Sequence, residues 1–300
     1  MLLLLGSAVA VAAVKQTSVS VDPFSALKVS GSFSVSLVRG TDYRVLLSVE
    51  EGFMDYVVCG VSAGELTVDL DERFVPAEVK RQFRGKGTPD PVFSAIIYVP
   101  EGVKSVALTG KAVLRDTEDV FDNTGVEFSL VDNAAIRQLD LTSQSIIISL
   151  QNKSTADIKA ICKQLDASTA NSSSLSMDET SESASYSLQG SSKIIAKSRG
   201  SQVSVKTKAN STMTLVGSGE SISYDLSGTS EVNAVDYEVP DARIVMTSVC
   251  MLSQAAYKSL TLNLNGGSTL LFAGDPVMKV ENIKSSTVSR INGGKTGSRL

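Results

Sequence analysis

The sequence predicts an all-β protein, a right-handed parallel β-helix, which is a coil whose turns stack as parallel strands. Three observations predict it. Apolar residues recur at a near-constant step of about 19 residues. Residue types that tolerate sharp corners recur at the same step. Small polar residues alternate with apolar ones, and serine is in large excess, with 45 of 300 residues. The apolar content of 42% argues against disorder, so the small polar residues are expected on the outside of a β repeat.

Residues 1–13 are predicted to be a signal peptide. A leucine run is followed by small-x-small triplets at Ala8–Ala10 and Ala10–Ala12, which resemble the apolar and cleavage regions of an export signal. The positively charged start of such a signal is missing, and a buried first strand is the alternative interpretation. The segment is too short to span a bilayer. We therefore expect an exported protein of the periplasm, the outer-membrane surface or the extracellular space.

Residues 18–100 are predicted to be a strand-rich N-terminal part of the β-helix that covers one end of the stack. Strands are expected at 24–29, 33–37, 43–49, 66–70 and 92–99. The last two flank a basic, Gly/Pro-rich loop from Pro76 to Pro91. Its cations are Lys80, Arg81, Arg84 and Lys86. The loop is either a solvated surface excursion or a contact site for an anionic surface.

Residues 101–292 are predicted to be repeated rungs of the β-helix, and residues 293–300 a disordered tail. One inward column is expected at Phe128, Ile148, Ala167, Tyr186, Val205, Tyr224, Ile244, Leu262 and Val280. A second, after a corner, is expected at Leu114, Ile136, Ile158, Leu175, Ile194, Thr214, Val232, Leu252, Leu270 and Val288. The corner itself is expected at Gly110, Asp132, Ser154, Asn171, Gly190, Asn210, Gly228, Ser248 and Gly266. Residues 156–165 fit a helix or two short strands.

The constant step favours a coil over a sandwich, because a sandwich varies its strand spacing and loop lengths. A constant step returns the same side-chain type to the same place once per turn, so each turn covers the apolar edge of its neighbour. Both ends of such a stack expose strand edges, which makes self-association possible.

Three stretches resemble a known family. Residues 24–40 form a strand–Gly–strand opening, and residues 92–110 are similar to the family's strand–Pro–strand segment. Residues 266–276 are similar to its closing pattern, with Phe272 where the family has Tyr. The family is the putative auto-transporter adhesin, head GIN domain. The resemblance implies a right-handed β-helix with a role at the cell surface or in the periplasm, and it supplies no catalytic residues.

The composition excludes several classes of site. The chain has no His, and its formal net charge of −4 is spread without the basic face that a nucleic-acid partner requires. Cys59, Cys162 and Cys250 are far apart and odd in number, so free thiols are predicted, with one bridge and one free thiol as the alternative. No metal or cofactor motif is present in the sequence. Tyr186 and Tyr224 fall on the inward column and are expected to pack in the core.

A carbohydrate-active β-helix enzyme, a polysaccharide lyase or glycosidase, is the alternative to a binding protein. Its carboxylates would come from Asp140, Asp157, Asp166, Asp178, Glu179, Asp236 and Asp241. By their spacing these acids are not expected to keep the register of the repeat, and residues 178–182 are interpreted as an acidic loop. We therefore expect no catalytic, cofactor-binding or metal residues. The predicted function is an exported, non-enzymatic binding or structural module, adhesin-like, that presents a Ser/Thr-rich face to an unknown glycan or protein ligand.

Overall fold

The computed structural model describes residues 13–86 and 88–291. In these residues the chain forms a right-handed parallel β-helix of about ten turns, as the repeat predicts. The predicted signal segment, apart from Ala13, and the predicted tail lie outside the described residues.

The strands are short in the first half of the chain and long in the second. They are β1 (Val14–Ser20), β2 (Ala26–Val29), β3 (Ser34–Arg39), β4 (Arg44–Glu50), β5 (Val57–Ser62), β6 (Glu65–Leu70), β7 (Phe93–Val99), β8 (Ser105–Leu108), β9 (Val113–Thr117), β10 (Gly125–Leu130), β11 (Ala135–Thr142), β12 (Ser145–Leu150), β13 (Thr155–Ile161), β14 (Gln164–Asn171), β15 (Ser174–Gly190), β16 (Lys193–Lys208), β17 (Thr212–Ser218), β18 (Ser221–Leu226), β19 (Glu231–Met246), β20 (Met251–Asn265), β21 (Thr269–Ala273), β22 (Val277–Lys284) and β23 (Thr287–Arg290). A 3₁₀ helix spans Glu51–Tyr56 and one α-helix, α1, spans Ala77–Gln82.

Each coil contributes to two parallel sheets. The first sheet contains β6, β2, β8, β10, β12, β14, β18 and β22, with the second halves of β15, β16, β19 and β20. The second sheet contains β7, β3, β9, β11, β13, β17, β21 and β23, with the first halves of the same long strands. The four long strands run without a break through the bend that joins the two sheets.

Antiparallel strands extend both sheets at the N-terminal end. β5 pairs with β6 on the first sheet, and β4 and then β1 add to β7 on the second. The five predicted strands of this part are present, with bounds that differ by at most two residues. β1, β5 and α1 were not predicted, because they lie outside the repeat and α1 has no buried residue to mark one face. The predicted segment 156–165 is two strands, β13 and β14.

The predicted first inward column is confirmed. Each of its members is the direct partner of the next on the adjacent strand, from Val106 and Phe128 through Leu262 to Val280. All are buried except Val280, which is 58% exposed because it lies in the last described strand of the first sheet.

The second inward column needs two corrections. Ala156 partners Ile136 and Leu175, so it takes the place predicted for Ile158. Ile158 lies two residues further along, where a bulge in β11 pairs it with Leu139. Met213, not Thr214, partners Ile194 and Val232. Met213 is buried and its neighbour faces outward, as strand alternation requires.

Seven of the nine predicted corner residues have positive φ. At the other two corners the positive φ falls on Asn152 instead of Ser154 and on Ala209 instead of Asn210. Gly228 combines a φ of +84° with close packing, since a Cβ there would lie 2.6 Å from the backbone nitrogen of Ala209. Only glycine meets both conditions without strain.

A column of buried side chains closes this corner in successive coils. Its members are Ser154, Ser173, Ser192, Ser211, Ser230, Cys250 and Ser268. The Ser173 hydroxyl donates to the carbonyl of Ala170 in its own turn at 2.8 Å, and lies 3.1 Å from the carbonyl of Leu150 in the preceding coil. Cys250 places its sulfur 3.0 Å from the carbonyl of Thr247, the equivalent acceptor. The column satisfies corner carbonyls that water does not reach.

The interior of the central coils carries a polar column. Glu179, Ser198, Gly217 and Tyr237 are successive partners on adjacent strands of the second sheet. The Glu179 Oε1 atom accepts hydrogen bonds from Ser198 Oγ and, at 3.2 Å across the interior, from Tyr186 Oη. Within the described chain, neither Glu179 Oε2 nor Ser181 Oγ has a hydrogen-bond partner. The interpretation of residues 178–182 as an acidic loop is therefore wrong: they lie in β15, whose alternation turns Glu179 inward.

Two further tyrosines continue this interior network. Tyr224 Oη donates to Gln254 Oε1, and Gln254 Nε2 donates to the Tyr237 carbonyl at 3.0 Å. Tyr237 Oη donates to the Gly200 carbonyl at 3.3 Å. Burial raises the pKa of Tyr237 to about 12, and it raises the pKa values of Tyr186 and Tyr224 well above the usual range. The core role predicted for Tyr186 and Tyr224 is confirmed, with their hydroxyls kept as protonated donors.

All three cysteines are free thiols, as predicted. Burial raises the pKa of Cys59 to about 11, and burial together with the nearby Glu179 carboxyl raises that of Cys162 to about 11. Because the thiolate is the reactive form, both are expected to be inert near neutral pH. Cys250 takes a structural serine's place in the corner column.

We expect Ser173→Ala to lower the free energy of unfolding by about 1–3 kcal/mol, because it removes a buried hydroxyl that donates to the Ala170 carbonyl and accepts from the Ala170 backbone nitrogen. Ser172→Ala, at the exposed neighbouring position, is the matched control and should change it by less than about 0.5 kcal/mol. Urea titration followed by circular dichroism measures both. Equal effects of the two variants would contradict a structural role for the corner column.

We expect Glu179→Gln to be close to the wild type in stability, because the amide keeps the side-chain volume and the acceptor oxygen for Tyr186 and Ser198. Glu179→Ala should lose about 2 kcal/mol or more, since it orphans the hydroxyls of Tyr186 and Ser198 and opens a cavity. Glu182→Gln, exposed on the same strand, controls for the change in net charge. A thermal and urea unfolding series measures all three; an alanine variant as stable as the glutamine variant would rule out this network as a source of stability.

Candidate binding face

A shallow trough lies on the outer face of the first sheet, across β15, β16, β18, β19 and β20. Its volume is about 400 Å³. Its outward-facing lining is formed by Ser183, Ser185, Gln202, Ser204, Ser221, Ser223, Asp241, Arg243 and Thr261. We call it the serine trough.

Strand alternation creates the trough. Ala184, Val203, Ile222 and Ala242 point inward on four adjacent strands and are buried, which fixes their neighbours on the outside. Residues on either side of them form two outward columns, one starting at Ser183 and one at Ser185. Their members are partners in register, so their side chains recur at the strand spacing of about 4.8 Å. Because serine is small, the columns leave a hollow between them.

Ion pairs fix one end of the trough. Asp241 accepts hydrogen bonds from Ser259 Oγ at 2.6 Å and Lys258 Nζ at 3.3 Å, and these contacts lower the pKa of its carboxyl. Arg243 holds Glu281 through two nitrogens at 2.6 and 3.0 Å, which lowers the pKa of Glu281. Both arrangements are exposed, so they orient side chains more than they stabilise the fold.

The structure corrects the sequence interpretation for two of the candidate carboxylates. Asp140 and Asp178 do keep register, since both lie in one outward column of the second sheet with Lys159 between them and Lys197 beyond. Asp178 contacts Lys197 at 3.2 Å and Arg199 at 2.9 Å. Partial burial opposes ionisation of Asp178, but these two hydrogen bonds outweigh it and lower its pKa. The column is a ladder of alternating charge.

The other candidate carboxylates do not converge. Asp157 and Asp236 are exposed on the second sheet and at its bend, Asp166 is half-buried on the first sheet, and Glu179 is inside the coil. Among the lining residues of the serine trough, Asp241 is the single acid. A glycosidase needs two carboxyls that flank the scissile bond, about 5–9.5 Å apart. The trough does not bring a second one to Asp241.

The described ranges, 13–86 and 88–291, lack two features. They contain no group of three Cys, Asp or Glu side chains that could hold a metal ion. They also contain no helix long and apolar enough to cross a membrane.

Sequence reasoning predicted a Ser/Thr-rich exterior but missed the trough. The signal is visible in the sequence: Ser183-Ala184-Ser185 is followed 19 residues later by Gln202-Val203-Ser204, and again by Ser221-Ile222-Ser223. A polar–apolar–polar triplet repeated in register marks one outward surface crossed by three strands.

The chain is similar to several solved structures. A putative lipid binding protein from Parabacteroides distasonis is 16% identical, with 93% of this chain and 97% of the other covered and a TM-score of 0.46. A putative adhesin from Parabacteroides merdae is 15% identical, with 93% and 96% covered and a TM-score of 0.47. A second putative adhesin from P. distasonis is 14% identical, with 93% and 97% covered and a TM-score of 0.43. No curated protein matches the sequence.

The family model described as putative auto-transporter adhesin, head GIN domain, matches residues 23–197 and 167–276. These two overlapping matches include the antiparallel strands β4 and β5, the corner column and all the lining residues of the serine trough. They leave out β1 and Glu281, the ion-pair partner of Arg243. The chain therefore belongs to the putative auto-transporter adhesin, head GIN domain family.

Proposed function

We propose that this protein is an exported, non-enzymatic, adhesin-like binding module, and that the serine trough contacts a hydroxyl-rich surface ligand such as a glycan. The observation that carries the proposal is the pair of in-register outward columns that start at Ser183 and Ser185. Membership of an adhesin family supports the general role.

Serine hydroxyls suit this ligand because each one can donate and accept a hydrogen bond. The column from Ser183 to Ser259 crosses five strands, a distance of about 19 Å at the strand spacing. A polymer with regularly spaced hydroxyl groups could therefore contact several coils at once. Each hydrogen bond contributes only about 0.5–1.5 kcal/mol net, so useful affinity requires many contacts or many copies.

The single carboxylate in the trough supports a binding role over a hydrolytic one. Asp241 already binds Ser259 and Lys258, and these contacts favour its ionised form. A general acid needs a raised pKa, which is the opposite shift. The trough also has no aromatic side chain in its lining on which a sugar ring could stack, which is consistent with weak, multivalent binding.

We expect Ser204→Arg with Ser223→Arg to abolish glycan binding, because two long side chains fill the hollow. The matched control is Thr214→Arg with Ser253→Arg, which adds the same two cations to the outer face of the second sheet and should bind as the wild type does. The measurement is binding of bead-coupled protein to a glycan array. Binding that both double variants retain, or both lose, would contradict the assignment of the trough as the contact surface.

The glycans bound in that array are also incubated with the protein and assayed for released reducing ends and unsaturated products. We expect no release above a buffer control. Product release that Asp241→Asn abolishes would instead support the carbohydrate-active enzyme.

We expect export to remove the N-terminal segment, with the mature chain beginning near Ala13. N-terminal sequencing and cell fractionation of the native protein measure this. A protein recovered from the cytoplasm with Met1 intact would contradict both the predicted signal peptide and a role at the cell surface.

A further inference from the structure

A second hollow lies at the N-terminal end of the coil, remote in sequence from the serine trough. The segment between β6 and β7 leaves the sheet, forms α1 and returns. Val75 is buried, and Val79 and Phe83 pack against the core, so three apolar side chains hold this segment down. A pocket of about 210 Å³ remains beneath it, lined by Ser32, Phe53, Leu70, Glu72, Lys80, Phe83, Arg84, Pro91 and Phe93. We call it the α1 pocket.

The floor of the α1 pocket is aromatic. Phe53 lies 5.2 Å from Phe93 and 5.6 Å from Phe83 between ring centroids, and Phe93 in turn lies 5.6 Å from Phe33 in the core. Phe53 and Phe93 are buried, whereas Phe83 is half-buried and forms part of the covering segment. An apolar ligand group in this position would contact ring faces and edges on two sides.

The rim of the α1 pocket is basic. Lys80 and Arg84 both line it, and in the part of the chain that the structure describes neither has a carboxylate within 4 Å. Glu72 lines it as well, and its backbone carbonyl accepts a hydrogen bond from Lys80 Nζ. That bond anchors the ammonium at the rim and leaves two of its donors available. Two cations against one acid leave the mouth with a net positive charge.

We propose that the α1 pocket binds a free fatty acid, with the end of the acyl chain between Phe53, Phe83 and Phe93 and the carboxylate at Lys80 and Arg84. An aromatic floor beneath a cationic rim complements a molecule that is apolar at one end and anionic at the other. The volume of about 210 Å³ lies below the roughly 300–1,000 Å³ of drug-sized sites, so the pocket has room for one slender acyl chain. This proposal is independent of the serine trough and of its ligand.

The test is calorimetric titration of the full chain with sodium decanoate below its micellar concentration. We expect saturable binding of one equivalent, and about tenfold or more weaker binding by Lys80→Gln with Arg84→Gln, because both charge-assisted contacts are lost. Decan-1-ol, which has the same chain without the charge, should bind the wild type about tenfold or more weakly than decanoate does. Ser32→Phe, which fills the pocket from the coil side, should abolish binding of both ligands.

Lys111→Gln with Lys153→Gln is the matched control, since it removes two cations that line a different hollow, beside the corner residues Gly110 and Asp132. It should bind decanoate as the wild type does. Circular dichroism checks that every variant is folded. The proposal is overturned if decanoate does not bind, if decan-1-ol binds equally well, or if the control loses affinity as the pocket variant does. Sedimentation with anionic phosphatidylglycerol vesicles in the absence of decanoate binding would assign the rim to a membrane surface and also overturn it.

Discussion

The structure depends on stacking in register between consecutive coils. A single coil cannot bury its own apolar side chains. Phe128 is part of a core because Val106 lies on one side of it and Ile148 on the other. The same register pairs the backbone groups of parallel strands and brings corner residues above one another. One local step of about 19 residues therefore sets hydrogen bonding, burial and surface pattern together, and stability accumulates along the coil axis.

The columns were predictable because their period is a property of the chain alone, and period 2 within a strand decides which side chains enter. The departures arise where neighbours in space override the period. Ala156 takes the place expected for Ile158, because it is Ala156 that pairs with Ile136 and Leu175 on the neighbouring strands, and the antiparallel β1 and β5 lie outside the repeat. Glu179 was misassigned because its acidic neighbours suggested a loop. Its inward position follows from strand alternation, but the partners that make it tolerable there, Tyr186 and Ser198, come from another sheet and another coil.

Serine has two separate roles in this chain, which composition alone does not distinguish. Five serines of the corner column are buried and donate hydrogen bonds to backbone carbonyls: Ser154, Ser173, Ser192, Ser211 and Ser230. The serines of the trough point outward, where their hydroxyls face solvent. The sequence places both sets at the same step, but their local geometry differs. Most corner serines come three residues after a carbonyl that they bind, as Ser154 and Ser173 do. A trough serine instead flanks a buried apolar residue.

The interior polar column has a consequence for how such a protein can change length. In coils with a wholly apolar interior, a duplicated or deleted coil replaces like with like, so the number of repeats can drift over generations. The segment from Glu179 to Gln254 does not allow this exchange, because the bond from Tyr224 to Gln254 joins residues 30 positions apart and that from Tyr237 to Gly200 spans 37. A coil inserted there would separate donors from acceptors. We therefore expect insertions and deletions of whole coils to occur on either side of this segment and not within it.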